Sequence, residues 1–159
     1  MESSANFILE GEYKGSGTVT ASGTKYNESF TLKVLKTEPC ILVNWQQFTK
    51  SAEGKPMHAE NGFLKILPKK DENGCNIVEL MLSHPFGVNE VSSGTWNSKT
   101  NVLNVVASDP SSFQRGKTAS GKAATYLSRS YTLDGQTLSY DINLGVDGSE
   151  PKHHLHCDM

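Results

Sequence analysis

The chain has 159 residues, a formal net charge of −2, 36% hydrophobic residues and 20% charged ones. That length suits one domain with a real core or a barrel around a cavity. Its charges are scattered, so the basic stripe of a nucleic-acid binder is missing, and no apolar run approaches a membrane span. Cys40, Cys75 and Cys157 are few and far apart and do not read as a disulfide framework. The leading segment Met1–Asn6 lacks the basic and apolar regions of a signal peptide. The expectation is a cytoplasmic protein that stays folded under reducing conditions.

Along the chain almost every segment repeats at strand period. Phe7–Leu9 is a short apolar lead-in, predicted as a single helical turn. Gly11–Thr20 is the first strand, and its glycines predict sharp coiling or close backbone approach. Ser22-Gly23 turns the chain into Tyr26–Val34, where Tyr26, Glu28, Phe30 and Leu32 share a face. After a break at Glu38-Pro39, Cys40–Thr49 runs out and Met57–Leu67 returns across a turn at Ala52–Pro56. Pro68–Gly74 is a charged loop, followed by Ile77–His84, a Pro85–Gly87 turn, Val88–Trp96 and Val102–Ala107. Asp109–Gly121 is the longest irregular stretch. Ala123–Leu133 then meets Leu138–Leu144 across Asp134-Gly135, a strong hairpin signal. Short strands joined in order by tight turns predict an all-β fold, an up-and-down antiparallel β-barrel of about ten strands in a single domain spanning 1–159. Closure would leave no exposed sheet edge.

Three of the five histidines lie in the closing segment Pro151–Met159. Alternation predicts His154 and His156 on one face, with His153 and Leu155 on the other. In the preceding strand Leu138, Tyr140, Ile142 and Leu144 point inward, so pairing across Val146–Ser149 brings Leu144 near His154. That would set an imidazole in an apolar interior. The same histidines are also open to readings as a surface zinc scavenger or as polar residues on an exposed edge. His154, His156 and Cys157 have zinc-ligand chemistry, but no second ligand cluster is evident for a tetrahedral site.

Four blocks occur in order: Gly54-Lys55-Pro56-Met57-His58-Ala59-Glu60-Asn61-Gly62-Phe63-Leu64; Val78-Glu79-Leu80 with Ser83–Val91; Arg129–Tyr131 with Leu133–Tyr140; and Pro151–His156. They resemble the G-x-P-M-H-x-E-x-G-[FY]-L, V-E-L…H-P-x-G-x-x-E-V, R-x-Y-x-L-x-G-x-T-L-x-Y and P-L-x-H-H-L patterns of the nitrobindin family. That family's haem-binding barrels are related in shape to lipocalins and fatty-acid-binding proteins. The resemblance implies one b-type haem per chain, held at the barrel mouth. Its iron ligand, the histidine before Leu in the last strand, falls on His154, while Met57 and His58 fall near the porphyrin. Leu144 stands where the family often has Met-Ala and keeps that wall apolar. The implied activity is a ferric haem protein that binds nitric oxide and isomerises peroxynitrite to nitrate, with no catalytic residue beyond the iron. The first strand departs from the pattern, with Tyr13 in place of the family's Trp.

Blander readings stand beside these. Met57 is also a gap filler and His58 a turn cap. At its turn, His84 is expected to satisfy nearby backbone. Glu60, Glu79, Glu90 and Arg129 are expected to face outward or to be paired. The rival function is a non-enzymatic carrier of a fatty acid or other apolar molecule, with an inward Arg129 holding the carboxylate. A third is a barrel that has lost haem. Small molecules are the expected partners, not nucleic acid or membrane.

Overall fold

The computed structural model describes residues 7–159, so Met1–Asn6, read above for signal-peptide features, lies outside the described residues. Eleven strands follow one another: β1 (Gly11–Val19), β2 (Lys25–Lys36), β3 (Ile41–Ser51), β4 (Pro56–Lys70), β5 (Asn76–His84), β6 (Val88–Asn97), β7 (Val102–Ala107), β8 (Phe113–Arg115), β9 (Ala124–Asp134), β10 (Thr137–Val146) and β11 (Lys152–Asp158). All pairings are antiparallel, in the order β5-β4-β3-β2-β1-β11-β10-β9-β7-β6, and a further β5–β6 ladder closes the ring. Ten strands thus form the closed barrel predicted from the turn spacing. The short β8 pairs with Val88–Glu90 of β6, beyond the end of β7. It comes from the stretch expected to be irregular, along with a 3₁₀ turn at Pro110–Ser112 capped by Asp109. No helix among the described residues is long and apolar enough to cross a membrane.

The period of two decides what goes inside. Tyr26, Glu28, Phe30 and Leu32 of β2 are buried, as are Leu138, Tyr140 and Ile142 of β10. One end of the barrel is filled by aromatic rings. Phe30 meets Trp45 edge-on at 4.7 Å, and Trp45 meets Tyr131 at 5.1 Å with the rings at 88°. Such pairs each add about 0.5–1.5 kcal/mol beyond the area they bury. Phe7 and Leu9 plug this end, with Phe7 packed on Trp96 at 5.2 Å. Their segment is a single turn closed by the Glu10 amide on the Phe7 carbonyl, not a helix. Packing against this end leaves the opposite end of the barrel for a cavity.

Two glycines of β1 serve two different neighbours. A side chain at Gly15 would place its Cβ 2.0 Å from the Asp158 carbonyl oxygen of β11, and one at Gly17 would strike the Tyr26 ring of β2 at 2.2 Å. Gly15 thus permits the close backbone approach expected of a strand glycine, and Gly17 leaves room for an inward ring.

The closing strand corrects the expected parity. Ile142 pairs with Leu155 but Asn143 pairs with His153, so His154 is an extra residue in a β-bulge. The insertion shifts every later side chain by one face. Leu155 and Cys157 therefore turn inward and His156 turns out to solvent, instead of sharing the inner face with His154. All three cysteines are free thiols.

Candidate functional site

A cavity of about 380 Å³ occupies the end of the barrel opposite the Phe7 plug. Its volume falls in the usual range of small-molecule sites, about 300–1,000 Å³. One side, from β1, β9, β10 and β11, is apolar: Val19, Leu127, Ile142, Leu144 and Leu155 line it around His154. Met57 lies exposed at the rim, and Phe113 and Arg115 border the cavity from the stretch expected to be irregular, with Lys122 just after it. Met57, His58, Leu144 and His154 thus lie around one space.

His154 differs from the other histidines in its lack of partners. His153 contacts Asp141 at 2.8 Å and Thr20 at 2.6 Å, and His156 contacts Asp141 at 2.9 Å and Asp158 at 3.1 Å. His58 and His84 contact each other and the carboxylates described below. The His154 imidazole has no hydrogen bond among the described residues, while its backbone carbonyl accepts from the Thr20 amide at 2.8 Å. Burial pushes its pKa down, with His153 and His58 adding in the same direction. Desolvation disfavours the imidazolium and keeps a nitrogen lone pair available.

Opposite it, the wall carries charge. Arg129 Nη1 donates to Glu60 Oε2 at 2.8 Å and Nη2 to Glu60 Oε1 at 3.0 Å, while Nη2 also donates to Glu90 Oε1. All three side chains are buried. Burial alone would raise the Glu60 carboxyl, but the Arg129 guanidinium, with His58 and His84, more than reverses this and holds it far below the usual carboxylate range. Of the two expectations for these charges, pairing holds and outward facing does not; only Glu79 sits outside, 3.3 Å from Lys65. His84 departs from the backbone role expected of it. Its Nε2 lies 3.0 Å from Glu90 Oε1, and its ring stacks on His58 with centroids 5.3 Å apart.

The floor is polar as well. Tyr140 donates to Glu28 Oε1 at 2.7 Å, Gln47 bonds both Glu28 and Tyr140, and the Cys157 thiol donates to Glu28 Oε2 at 3.4 Å. Burial raises the Glu28 carboxyl despite these hydrogen bonds. Gln47 was missed in the sequence, yet it shares parity with Val43 and Trp45. A polar residue at an inward position was the available signal.

The residues around His154 fit a haem. The donor is a half-buried imidazole without a protein partner, and neutral imidazole nitrogen is a common proximal ligand. The walls beside it are apolar, and the rim carries the cations Arg115 and Lys122, which suit acidic groups at the edge of a macrocycle.

Comparisons with known proteins bear on the family and the fold. Residues 5–159 match the family model described as the THAP4-like, heme-binding beta-barrel domain. Peroxynitrite isomerase 2 of Mycobacterium bovis (strain BCG / Pasteur 1173P2) is 36% identical over 115 residues, covering 72% of this chain and 66% of the relative. The peroxynitrite isomerase of Nocardia farcinica (strain IFM 10152) is 33% identical over 114 residues, covering 71% and 62%. The matched region thus spans just under two thirds of these relatives' length. The crystal structure of Rv2717c from M. tuberculosis superposes with a TM-score of 0.74 at 29% identity, covering 94% of this chain and 90% of that one. The chain belongs to the THAP4-like haem-binding β-barrel family, the nitrobindin family that its four sequence blocks resemble.

Proposed function

We propose that the chain holds one b-type haem through His154 and, in the ferric state, binds nitric oxide and isomerises peroxynitrite to nitrate. The observation that carries this reading is the contrast among the histidines: four have protein partners, and His154 alone presents an unpartnered imidazole, on the apolar side of the cavity. The names of the relatives supply the reaction. Bound haem would supply an iron centre able to bind the small ligand and rearrange its O–O bond. This chain's own residues do simpler work. The bulge aims His154 into the cavity, Leu144 and Ile142 exclude water beside it, and Arg115 and Lys122 border the mouth. Peroxynitrite and nitrate contain the same atoms and carry the same charge, so the rearrangement requires no proton from the wall.

The carrier reading loses its main residue. Arg129 faces inward, but two carboxylates already occupy its guanidinium, which leaves it poorly suited to a fatty-acid headgroup.

Hemin titration followed by absorption spectroscopy tests the assignment. Wild type should give a five-coordinate ferric spectrum at one equivalent, and His154→Ala should lose it. His153→Ala and His156→Ala should keep it, because both side chains face solvent. An unchanged spectrum in His154→Ala would sink the ligand assignment. Stopped-flow decay of peroxynitrite with nitrate analysis then tests the reaction, and a hemin-loaded chain with no rate above free buffer would refute it.

A further inference from the structure

We propose that His58, Glu60 and His84 form a divalent-cation site of the zinc class on the charged wall of the cavity, with its remaining position open to the interior. The proposal goes beyond haem binding and stands without it, because none of the three residues is the proposed iron ligand.

The distances carry it. His58 Nε2 lies 3.2 Å from His84 Nδ1 and 3.3 Å from Glu60 Oε1, and His84 Nδ1 lies 3.7 Å from Glu60 Oε1. A tetrahedral ion with bonds of about 2.0–2.1 Å separates its ligand atoms by about 3.3 Å. The triangle already has that size.

Hydrogen bonding alone serves these atoms poorly. With both rings neutral, a carboxylate at Glu90 can only accept, so the 3.0 Å contact assigns the proton to His84 Nε2 and leaves Nδ1 as a bare acceptor. A single proton on His58 Nε2 must then serve both His84 Nδ1 and Glu60 Oε1, at distances longer than a good charge-assisted bond of about 2.7–2.9 Å. A cation would satisfy all three lone pairs together, with the His58 proton moving to Nδ1.

The surroundings match a metal centre. Glu90 behind His84 is the carboxylate–histidine arrangement that orients metal ligands. Glu60 Oε1 accepts from Arg129 Nη2 at 3.0 Å and has a second lone pair to give. Two buried carboxylates, Glu60 and Glu90, face one guanidinium, so a further positive charge is accommodated. Both histidines border the cavity, which gives an ion a route in from the mouth. Two imidazoles and one carboxylate suit zinc and its cobalt(II) substitute.

Cobalt(II) added to the full chain before any hemin tests this. One equivalent should bind and show the intense visible bands of a four-coordinate ion. His58→Ala, a rim position whose loss should spare the fold, should abolish those bands, and Glu90→Gln should weaken binding by about 10–100-fold. His154→Ala should leave cobalt binding unchanged, which separates this site from the haem ligand. The double variant His153→Ala/His156→Ala should also leave it unchanged. Bands that survive in His58→Ala, or that vanish in the double variant, would overturn the proposal, as would the absence of four-coordinate cobalt in wild type.

Discussion

On the β4–β6 side of the cavity, Glu60, His84 and Glu90 are buried and tied to one another or to Arg129. On the β10–β11 side, Leu144, Leu155 and His154 present apolar surface and one imidazole without a hydrogen bond. Both walls belong to one barrel and border one space, yet their polar groups are treated in opposite ways. The first wall is held together by ion pairing around Arg129, although Arg129 Nε has no partner among the described residues and the His58–Glu60–His84 triangle is short of protons. Arg129 sits on β9, whose ladder partners are β7 and β10, so its bonds to Glu60 on β4 and Glu90 on β6 reach beyond the neighbouring strands. The second wall keeps a donor in reserve. Paired charges contribute to the frame, and the unsaturated wall, with its unpartnered imidazole, is open to an external ligand.

Removing the centre of the charged wall should therefore have the largest effect. Arg129→Ala leaves two carboxylates buried without their counter-charge, and breaking such a pair typically costs about 3–5 kcal/mol. Urea unfolding should show a loss of that order. A loss below about 1 kcal/mol would mean that the charged wall is incidental to stability.

The unsaturated wall should respond in ligand affinity more than in folding. Leu144→Phe enlarges a side chain at the cavity edge beside His154, and overpacking of this kind costs about 1–3 kcal/mol where space is needed. Here the expected cost falls mainly on hemin, whose affinity should drop by at least about fivefold, while urea unfolding of the haem-free chain shifts less. Equal hemin affinity in the variant would show that Leu144 does not border the bound ligand.

The two walls also differ in how legible they were. Period two and turn chemistry were enough for the barrel, because each strand must bury one face whatever its distant partners are. The motif blocks pointed to Met57, His58 and His154, and strand parity pointed to Leu144; all four border one cavity. The charged wall was harder. Arg129 shares inward parity with Tyr131 and Leu133, but Glu60 lies 69 residues away and Glu90 39 away. A single sequence offers no sign that two distant acids converge on one guanidinium. The bulge was hidden for a different reason. Inserting one residue reverses parity without any glycine or proline to mark it, so His156 was placed inside by the same alternation that placed Tyr140 correctly.

That bulge leads to the smallest and sharpest expectation, on two histidines only two residues apart. Burial lowers the pKa of His154, whereas the hydrogen bond to Asp141 raises that of His156, with burial opposing and Asp158 assisting. The signs give opposite linkage to folding. For His156 the stabilising contribution is fully present below the ordinary histidine value of about 6.5 and is lost as pH rises through the raised folded value. For His154 the contribution is present above about 6.5 and is lost as pH falls through the lowered folded value. Because His156 is largely exposed, its effect should be that of a surface pair, about 0.2–1 kcal/mol. Imidazole NMR titration of the haem-free chain should place His154 below and His156 above the ordinary value. Asp141→Asn should bring His156 back toward that value and leave His154 low. If the two rings titrate together, or if Asp141→Asn moves both, the bulge does not put them on opposite faces, and His154 loses its distinction as the inward histidine of the closing strand.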